Sequence, residues 1–477
     1  MLQSPLKRTL CLFIGLITAG IFCGASAQTT TTKNKLAYQD YLQSIINNLP
    51  ELQANGINLL SQENALKKAQ SMSDISLTAN GSYSLSDQLV QNAGPGEYTN
   101  AEIKAGVAKK FTQTGTIVGL NGGYSDQGYS GFAPQVDGHT YSPFIGVSVK
   151  QPLLKNFLGK VDRYTEQDAS MKVDVEKIRL IELNKNSLNA YKKLYFEWIL
   201  TIKKVQNSRA SINNSQTQLN QVRRNLQAGV NEEDDYQRSL AALIDYQQQL
   251  ENNLIILRNI EASLSVYIDV ESLQPIEADF DEYFNASNNG SLGFVEFSNT
   301  NYAKMLTMTM DRLLYSKGVF ENRTLPDLNV MGAYSRKNLT TDSSKKFSSF
   351  SEKDWQIGFE FVYSLENNMS EAELKDVEIQ VQSLEYERQI AINNYKKSLS
   401  GIMTSVEGTK ELLKKKNEYL TALTRQLAAE RRKYQQGRLN LSYVIATENL
   451  ISSTRTAIFT LRYQLIANHI DYTDITQ

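Results

Sequence analysis

"YKKLYFEWILTIKKVQNSRASINNSQTQLNQVRRNLQAG", residues 191–229, decides the fold: Tyr191, Trp198, Val205, Ile212, Leu219 and Leu226 recur every seventh residue, and Gly229 follows. The pattern returns 208 positions later in "LSGIMTSVEGTKELLKKKNEYLTALTRQLAAERRKYQQG", with Leu399, Val406, Leu413, Leu420, Leu427 and Tyr434 before Gly437. Tyr195, Ile202, Ile402 and Leu423 supply the intermediate three-and-four spacing. A strict seven-residue apolar period winds helices left-handedly around their neighbours. The chain therefore reads as an internal duplication built on two very long coiled helices.

Outward from this stretch, helix is expected from Val161 to Gln227, 67 residues and roughly 100 Å at ~1.5 Å per residue. The chain turns at Gly229 and returns over Asn231–Ile268 on a seam of Leu240, Leu243, Leu250, Leu254, Leu257 and Leu264. A mixed stretch from Asp269 to Ser291 interrupts it, and helix resumes over Val295–Arg323. In the second copy Ser370 is expected to cap a helix over Glu371–Gln436, which returns over Leu439–Tyr472. Leu36–Gln70 reads as a helix broken in phase at Pro50. The shorter helices are expected to tile the long ones: 38 and 29 residues against 67, and 34 and 35 against 66.

Between the helices the apolar period changes to two. Ile75, Leu77, Ala79, Gly81, Tyr83 and Leu85 share one face, with Ser76, Thr78, Asn80, Ser82, Ser84 and Ser86 on the other. Alternation recurs at Ile103–Phe111, Val118–Tyr124, Ile145–Val149, Leu328–Tyr334 and Trp355–Tyr363. Strands of about 9 to 11 residues with one apolar face and flanking aromatics suit a transmembrane barrel wall. Gln88–Asn100, a stretch through Gly128 and Gly138 containing Pro134, and Asn338–Lys353 read as loops.

The first residues carry Lys7 and Arg8, an apolar run from Leu10 to Phe22, and Ala25-Ser26-Ala27, the pattern of an export signal cleaved after Ala27. A lipoprotein site at Cys23 is the alternative, opposed by bulky Phe22. Cleavage removes Cys11 and Cys23, the only cysteines, so no disulfide framework or thiolate metal site is expected. Losing Lys7 and Arg8 leaves 48 basic against 51 acidic residues, which gives no footprint for nucleic acid. His139, read in a loop, and His469 are expected to be exposed bystanders. No G-x-x-x-x-G-K-[ST] is present, and no cofactor, metal or catalytic cluster is expected, so the reading is not an enzyme. The parse is signal peptide 1–27, N-terminal helix 28–72, first strands 73–153, first helical hairpin 154–268, equatorial segment 269–293, helix 294–324, second strands 325–366 and second helical hairpin 367–477.

The chain resembles the TolC-type outer membrane efflux and secretion channels. "QPLL" at Gln151 ends a strand before a long helix, "RRNLQAGVNEEDDY" from Arg223 forms one tip, and "RRKYQQGRLNLSYV" from Arg431 repeats it. "LPDLNVMGAYS" from Leu325 likewise resembles "SDISLTANGSYS" from Ser73. The resemblance implies a mainly α fold with transmembrane β: a homotrimer sharing one barrel in outer membrane lipid and one helical tunnel through the periplasm. It implies a passive conduit that meets a periplasmic adaptor and an inner membrane pump; a periplasmic adaptor or helical tether is the competing reading. Open strand edges are not tolerated in lipid, which independently demands that copies share a barrel. One departure is the strand count. The family gives two strands per half, whereas the first half here has four alternating segments, expected to add a hairpin turning at Thr114–Gly115; the alternative is an extended loop outside the membrane.

At the tips, Gly229 and Gly437 suit left-handed helix caps. The resemblance places adaptor contacts around Gly229, Val230, Gly437, Arg438 and Leu439, with Arg224 and Arg432 beside them. By spacing it carries a gate acid onto Asp235 and a gate tyrosine onto Tyr434. Leu439, Tyr443 and Ala446 stand where the family example has a base and two acids; Tyr443, Glu233 and Asp234 remain candidates for the constriction. Asn231 as cap with Glu232–Asp235 in the first turn is also what a solvated helix start requires. Threefold repetition would turn these acids into a ring that favours cations.

Overall fold

A computed structural model describes residues 34–91, 93–132, 137–343 and 346–476. The export signal over 1–27 and Pro134 lie outside the described residues. In chain order the elements are β1 (Asn34–Leu36), α1 (Tyr38–Asn48), α2 (Pro50–Gln70), β2 (Ile75–Val90), β3 (Gly94–Phe111), β4 (Thr116–Ser130), β5 (Gly138–Pro152), α3 (Lys160–Gln227) and α4 (Glu233–Leu264). They continue with β6 (Leu273–Pro275), α5 (Glu277–Asn289), α6 (Asn301–Arg323), β7 (Asp327–Ser343), β8 (Lys346–Val362), α7 (Asn368–Gln435) and α8 (Leu441–Thr476). The fold is mainly helical, with two long helical hairpins running from one shared sheet.

The duplication holds to the residue in the two long helices and the turns that follow them. α3 and α7 are 68 residues each, and every boundary of the first hairpin's turn, from Lys160 through Gln227 to Glu233, reappears 208 positions later at Asn368, Gln435 and Leu441. Even the left-handed residue before each helix repeats, Gly159 at φ 65° and Asn367 at φ 41°. Asn367, not Ser370, therefore precedes α7; Ser370 lies inside the helix. All twelve heptad residues are buried or half-buried, as a supercoil seam requires.

The shorter helices do not tile the long ones end to end. α4 (32 residues) and α6 (23 residues) leave a gap along α3, because the stretch read as mixed contains α5 and the short strand β6, which pairs in parallel with β1. The core sits at this equator. Tyr38, Tyr41 and Ile45 of α1, Tyr195, Phe196 and Trp198 of α3, and Phe280 of α5 pack together, joined by Leu461, Leu465 and Ile466 of α8. Burying such side chains stabilises by roughly 1.5–3 kcal/mol each. The Tyr195 hydroxyl lies 2.8 Å from the Leu36 carbonyl oxygen and 2.7 Å from Asp279 Oδ2, and accepts the Ile276 N–H at 3.2 Å. It ties α3 to both equatorial strands, and its burial holds the phenol firmly protonated. Pro50, in the first turn of α2, separates α1 from α2; α2 then lies along α3.

The six long strands form one antiparallel sheet in the order β2-β3-β4-β5-β7-β8. The β3–β4 hairpin is thus a full member of the wall, with Val107 opposite Leu77 on one side and Leu120 on the other. The strands run 15 to 18 residues, longer than the bilayer-spanning length read from the pattern. Gln88–Val90, Gly94–Asn100 and most of Asn338–Lys353 are strand, not loop: Val90 pairs with Gly94, and Ser343 with Lys346. His139, read as loop, lies in β5, exposed, with Nδ1 2.9 Å from Asp126 Oδ1. His469 is not an exposed bystander. It is half-buried on α8, its Nδ1 lacks a partner, and burial, then Lys410, lower its pKa.

One face of the sheet is apolar across all six strands. Leu77, Val107, Leu120, Val147, Tyr334 and Trp355 form a continuous row, and Leu77 and Trp355 are 77% and 75% exposed. The opposite face carries Ser76, Ala108, Gly119 and Ser148 in one row. Among the described residues no helix is long and apolar enough to cross a membrane.

Candidate functional site

The two hairpin ends meet at the pole opposite the sheet, and each is made by the same device. At the first, the Gly229 N–H donates to Leu226 O at 3.0 Å and the Val230 N–H to Asn225 O at 2.9 Å, with Gly229 at φ 70°. At the second, the Gly437 N–H donates to Tyr434 O and the Arg438 N–H to Lys433 O, both at 2.9 Å, with Gly437 at φ 70°. This pair of bonds closes a helix through a left-handed residue, a conformation glycine adopts without steric cost. Val230 is 74% exposed and Arg224, Arg432 and Arg438 are exposed; Leu439 is half-buried. The tip surface is therefore one apolar knob set among charges of both signs, with Glu232, Glu233 and Asp234 exposed beside the arginines.

Beneath the surface the two tips are bonded to each other. Asn231 Nδ2 donates to the Tyr434 hydroxyl at 3.0 Å and to Asp235 Oδ2 at 2.7 Å, and the hydroxyl lies 3.3 Å from Asn231 Oδ1. A second bridge runs from Asp234 through Arg238, 3.1 Å away, to Asn440 Oδ1 at 3.5 Å. Val222, Leu441 and Val444 seal the space behind, with Tyr236, Leu427 and Tyr434 against them. Between α3 and the second hairpin lies a polar groove of about 260 Å³, lined by Thr217, Gln221, Arg431, Tyr434 and Glu448. The hairpins are thus joined at the tip by side-chain bonds together with this small apolar cluster.

The structure brings Asp235 and Tyr434 together and leaves the other constriction candidates apart. Asp235 is half-buried, its Oδ1 without a partner. Burial, the largest cause, pushes the Tyr434 phenol up, and the nearby Asp235 carboxylate pushes the same way. Glu233 is exposed and accepts from Gln237 at 2.7 Å, one helical turn on. Tyr443 is 58% exposed and stands off the cluster. Asn231 does not cap α4: its side chain is committed to the neighbouring hairpin, and Glu232 precedes the helix without a side-chain cap. In the second copy the position matching Glu232 is Asn440, whose Oδ1 accepts the Ser442 N–H at 2.8 Å in a true N-cap. The spacing of Asp234 and Arg238, four apart on a helix, signals their pairing in the sequence. Nothing local announces that Asn231 reaches across 203 positions. Among the described residues no group of three or more His, Cys, Asp or Glu is placed to hold a metal ion.

Residues 310–471, from within α6 through most of α8, match the family of outer membrane efflux proteins. The whole chain is similar in fold to CusC, solved in work on its folding and transmembrane channel formation, with TM-score 0.63, 14% identity and 95% of each chain covered. It is similar to the outer membrane protein VceC of Vibrio cholerae, with TM-score 0.62 and 10% identity over 92% of this chain and 96% of that one. It is also similar to the open state of the MtrE outer membrane channel of Neisseria gonorrhoeae, with TM-score 0.62 and 11% identity over 92% and 88%. No curated protein matches it in sequence. The fold is that of the TolC-type outer membrane channels.

Proposed function

We propose that this protein is the outer membrane channel of a tripartite efflux or type I secretion system. Three copies share one barrel in the outer membrane and one helical tunnel in the periplasm, a passive conduit opened by a periplasmic adaptor and an inner membrane pump. The observation that carries this reading is a six-stranded sheet with an exposed apolar face and two unpaired outer strands, β2 and β8, on the same chain as two 68-residue helices. A sheet in lipid must close on itself, and membrane barrels need at least eight strands. Six cannot close alone, so β8 of one copy must pair with β2 of the next.

The helices leave matching edges. Near the sheet they lie side by side as α2, α3, α6 and α7, and near the tips as α4, α3, α8 and α7. α7 is the outer helix at both levels, facing away from its own chain with exposed Ile379, Tyr386 and Ile390. α2 presents exposed Ile57 and Leu60, and α4 presents Ile255 and Ile256, on the opposite edge. Setting α7 against the next copy's α2 and α4 covers these apolar groups and closes the tunnel. The tip bonds between Asn231, Asp235 and Tyr434 hold the hairpins together at its far end, and the exposed surface around Val230 and Arg438 is where an adaptor docks. Opening requires those bonds to break.

The test is assembly and conductance. The mature protein is expected to fractionate with outer membrane, to migrate on an unheated detergent gel as a trimer that collapses on boiling, and to form cation-preferring channels in planar bilayers. A monomer that stays in water without detergent overturns the reading.

A further inference from the structure

We infer that Arg336 and Lys353 form, on the lipid-facing side of the barrel wall, a site for the phosphate monoester of an outer-leaflet glycolipid. The inference rests on the channel reading above, which puts the helices in the periplasm and the far ends of the strands outside the cell.

The place of the two cations follows from the strand period. Tyr334 precedes Arg336 by two residues on β7, and Trp355 follows Lys353 by two on β8, so all four lie on the apolar face. Arg336 stands directly opposite Lys353 in the ladder, as Tyr334 does opposite Trp355. The apolar run of β8 begins beside the helices at Tyr363 and passes through Phe361, Phe359 and Ile357 to Trp355, all exposed. These eight steps of ~3.4 Å, tilted by about 40°, climb about 21 Å, and Lys353 lies about 5 Å beyond. An apolar band is about 25 Å tall and edged by aromatic girdles. Tyr334 and Trp355 therefore mark its outer edge, and the cations stand one step past it, among the headgroups.

Like charges directly opposite on neighbouring strands are destabilising by themselves. Both side chains are exposed, and among the described residues neither belongs to an ion pair. Glu352 and Asp354, the carboxylates beside Lys353 in the chain, point to the other face, and Asp354 lies 3.0 Å from Lys337 Nζ there. Lys109, a cation of the apolar face nearer the helices, lies instead 5.6 Å over the Phe111 ring. A guanidinium and an ammonium side by side can converge on one set of phosphate oxygens, the guanidinium through two parallel bonds. A phosphate monoester carries about −1.5 to −2 charges near pH 7 and so matches two cations, whereas the phosphodiester of a simple phospholipid carries one. Acyl chains would run down Trp355, Ile357 and Phe359. The sugar would meet Asn338 and Ser351, an exposed polar pair one step further out.

The purified trimer in detergent is titrated with a bis-phosphorylated lipid A, the same lipid A stripped of both phosphates, and phosphatidylglycerol, and bound lipid is counted by native mass spectrometry. The phosphorylated lipid is expected to fill one site per copy. Arg336→Gln and Lys353→Gln should each weaken it roughly fivefold and the double variant ~30-fold, while the two control lipids bind the unsubstituted protein no better than the phosphorylated lipid binds the double variant. Without lipid, the double variant should melt no lower than the unsubstituted trimer, because it removes a repulsion. Undiminished retention by the double variant, or equal retention of either control lipid by the unsubstituted protein, overturns the site. So does a lipid-free trimer that melts lower in the double variant and in Asp87→Asn alike, since Asp87 follows Leu85 by two on β2 and would then be pairing with the cations of the adjoining copy. Absence of a trimer in the unsubstituted protein overturns the channel reading instead.

Discussion

Replacing Tyr434 by Phe removes the hydroxyl that joins the two hairpin tips and leaves the ring packed against Val222 and Leu441. The hydroxyl accepts from Asn231 Nδ2 at 3.0 Å, a half-buried contact between the two hairpins. A hydrogen bond of this kind contributes about 1 kcal/mol net, or a factor of about five in an opening ratio. If three copies open together the loss triples to about 3 kcal/mol, and the open-to-closed ratio rises on the order of a hundredfold. Single-channel recording reads this as a jump in open occupancy. Asn231→Ala should act in the same direction, and the double variant should fall short of the sum by about 1 kcal/mol per copy, because both remove one bond. Unchanged occupancy, or strict additivity, refutes the latch. Alkali supplies an independent arm. The Tyr434 pKa is raised by burial above the ordinary value of 10, so the closed tip keeps its full stability below pH 10 and loses it as pH climbs through the raised value, when a buried phenolate faces Asp235 although it still accepts from Asn231. Opening that begins well below pH 10 would contradict it.

Two glycines with the same left-handed backbone should respond differently. Gly229→Ala meets open space and should cost only the conformational penalty of roughly 1–2 kcal/mol, a small drop in trimer melting. Gly159→Ala must also displace Thr112, and no heat-resistant trimer is expected on an unheated gel. Asp162→Ala strands Lys110 and Asn156, both bonded to its carboxylate, and should destabilise by about 3 kcal/mol, read as a lower trimer dissociation temperature. His469 has a pKa lowered by burial, then by Lys410. Its contribution is present above the ordinary histidine range and lost as pH falls through the lowered value, so His469→Gln should flatten the acid limb of a melting-temperature profile.

Much of this was legible because the heptad repeats itself. Two copies of one seam, each ending in glycine, fix the helix pair, its hairpin turns and the 208-residue offset without reference to anything distant. The alternation at Ile103–Phe111 and Val118–Tyr124 was enough to place a third hairpin in the sheet. What resisted reading was composition without period. Gln88–Asn100 carries Gly94-Pro95-Gly96 and reads as loop, yet Pro95 pairs opposite Leu89, beyond the end of the β4 ladder at Glu97, where its missing N–H costs no bond. Glu277–Asn289 is rich in Asp and Asn, and its helix is set by Phe280 and Phe284 entering a core supplied by α1, α3 and α8. At the tip, the family resemblance singles out Asp235 and Tyr434, which lie together around Asn231, whereas Asn231 itself reads as a cap. Its real partner belongs to the other copy of the repeat, and local propensity carries no information about that.

The repeat is kept in the helices and broken in the sheet, and geometry explains the difference. Both long helices must cover the same distance between the barrel and the tip. One extra residue in α3 alone would shift its tip by ~1.5 Å along the axis and turn its seam by about 100°. That would separate Asn231 from Tyr434 and face the heptad toward solvent, so the two lengths are locked to each other at 68 residues. A hairpin inserted between antiparallel neighbours meets no such constraint. It leaves and returns at the same edge, keeps the up-and-down alternation of β2 and β5, and delivers the chain to the root of α3 unshifted. The wall can therefore widen by whole hairpins while the long helix cannot lengthen by a residue in one copy alone, so divergence between the halves falls in the barrel and after the tips, where α4 has 32 residues against 36 in α8.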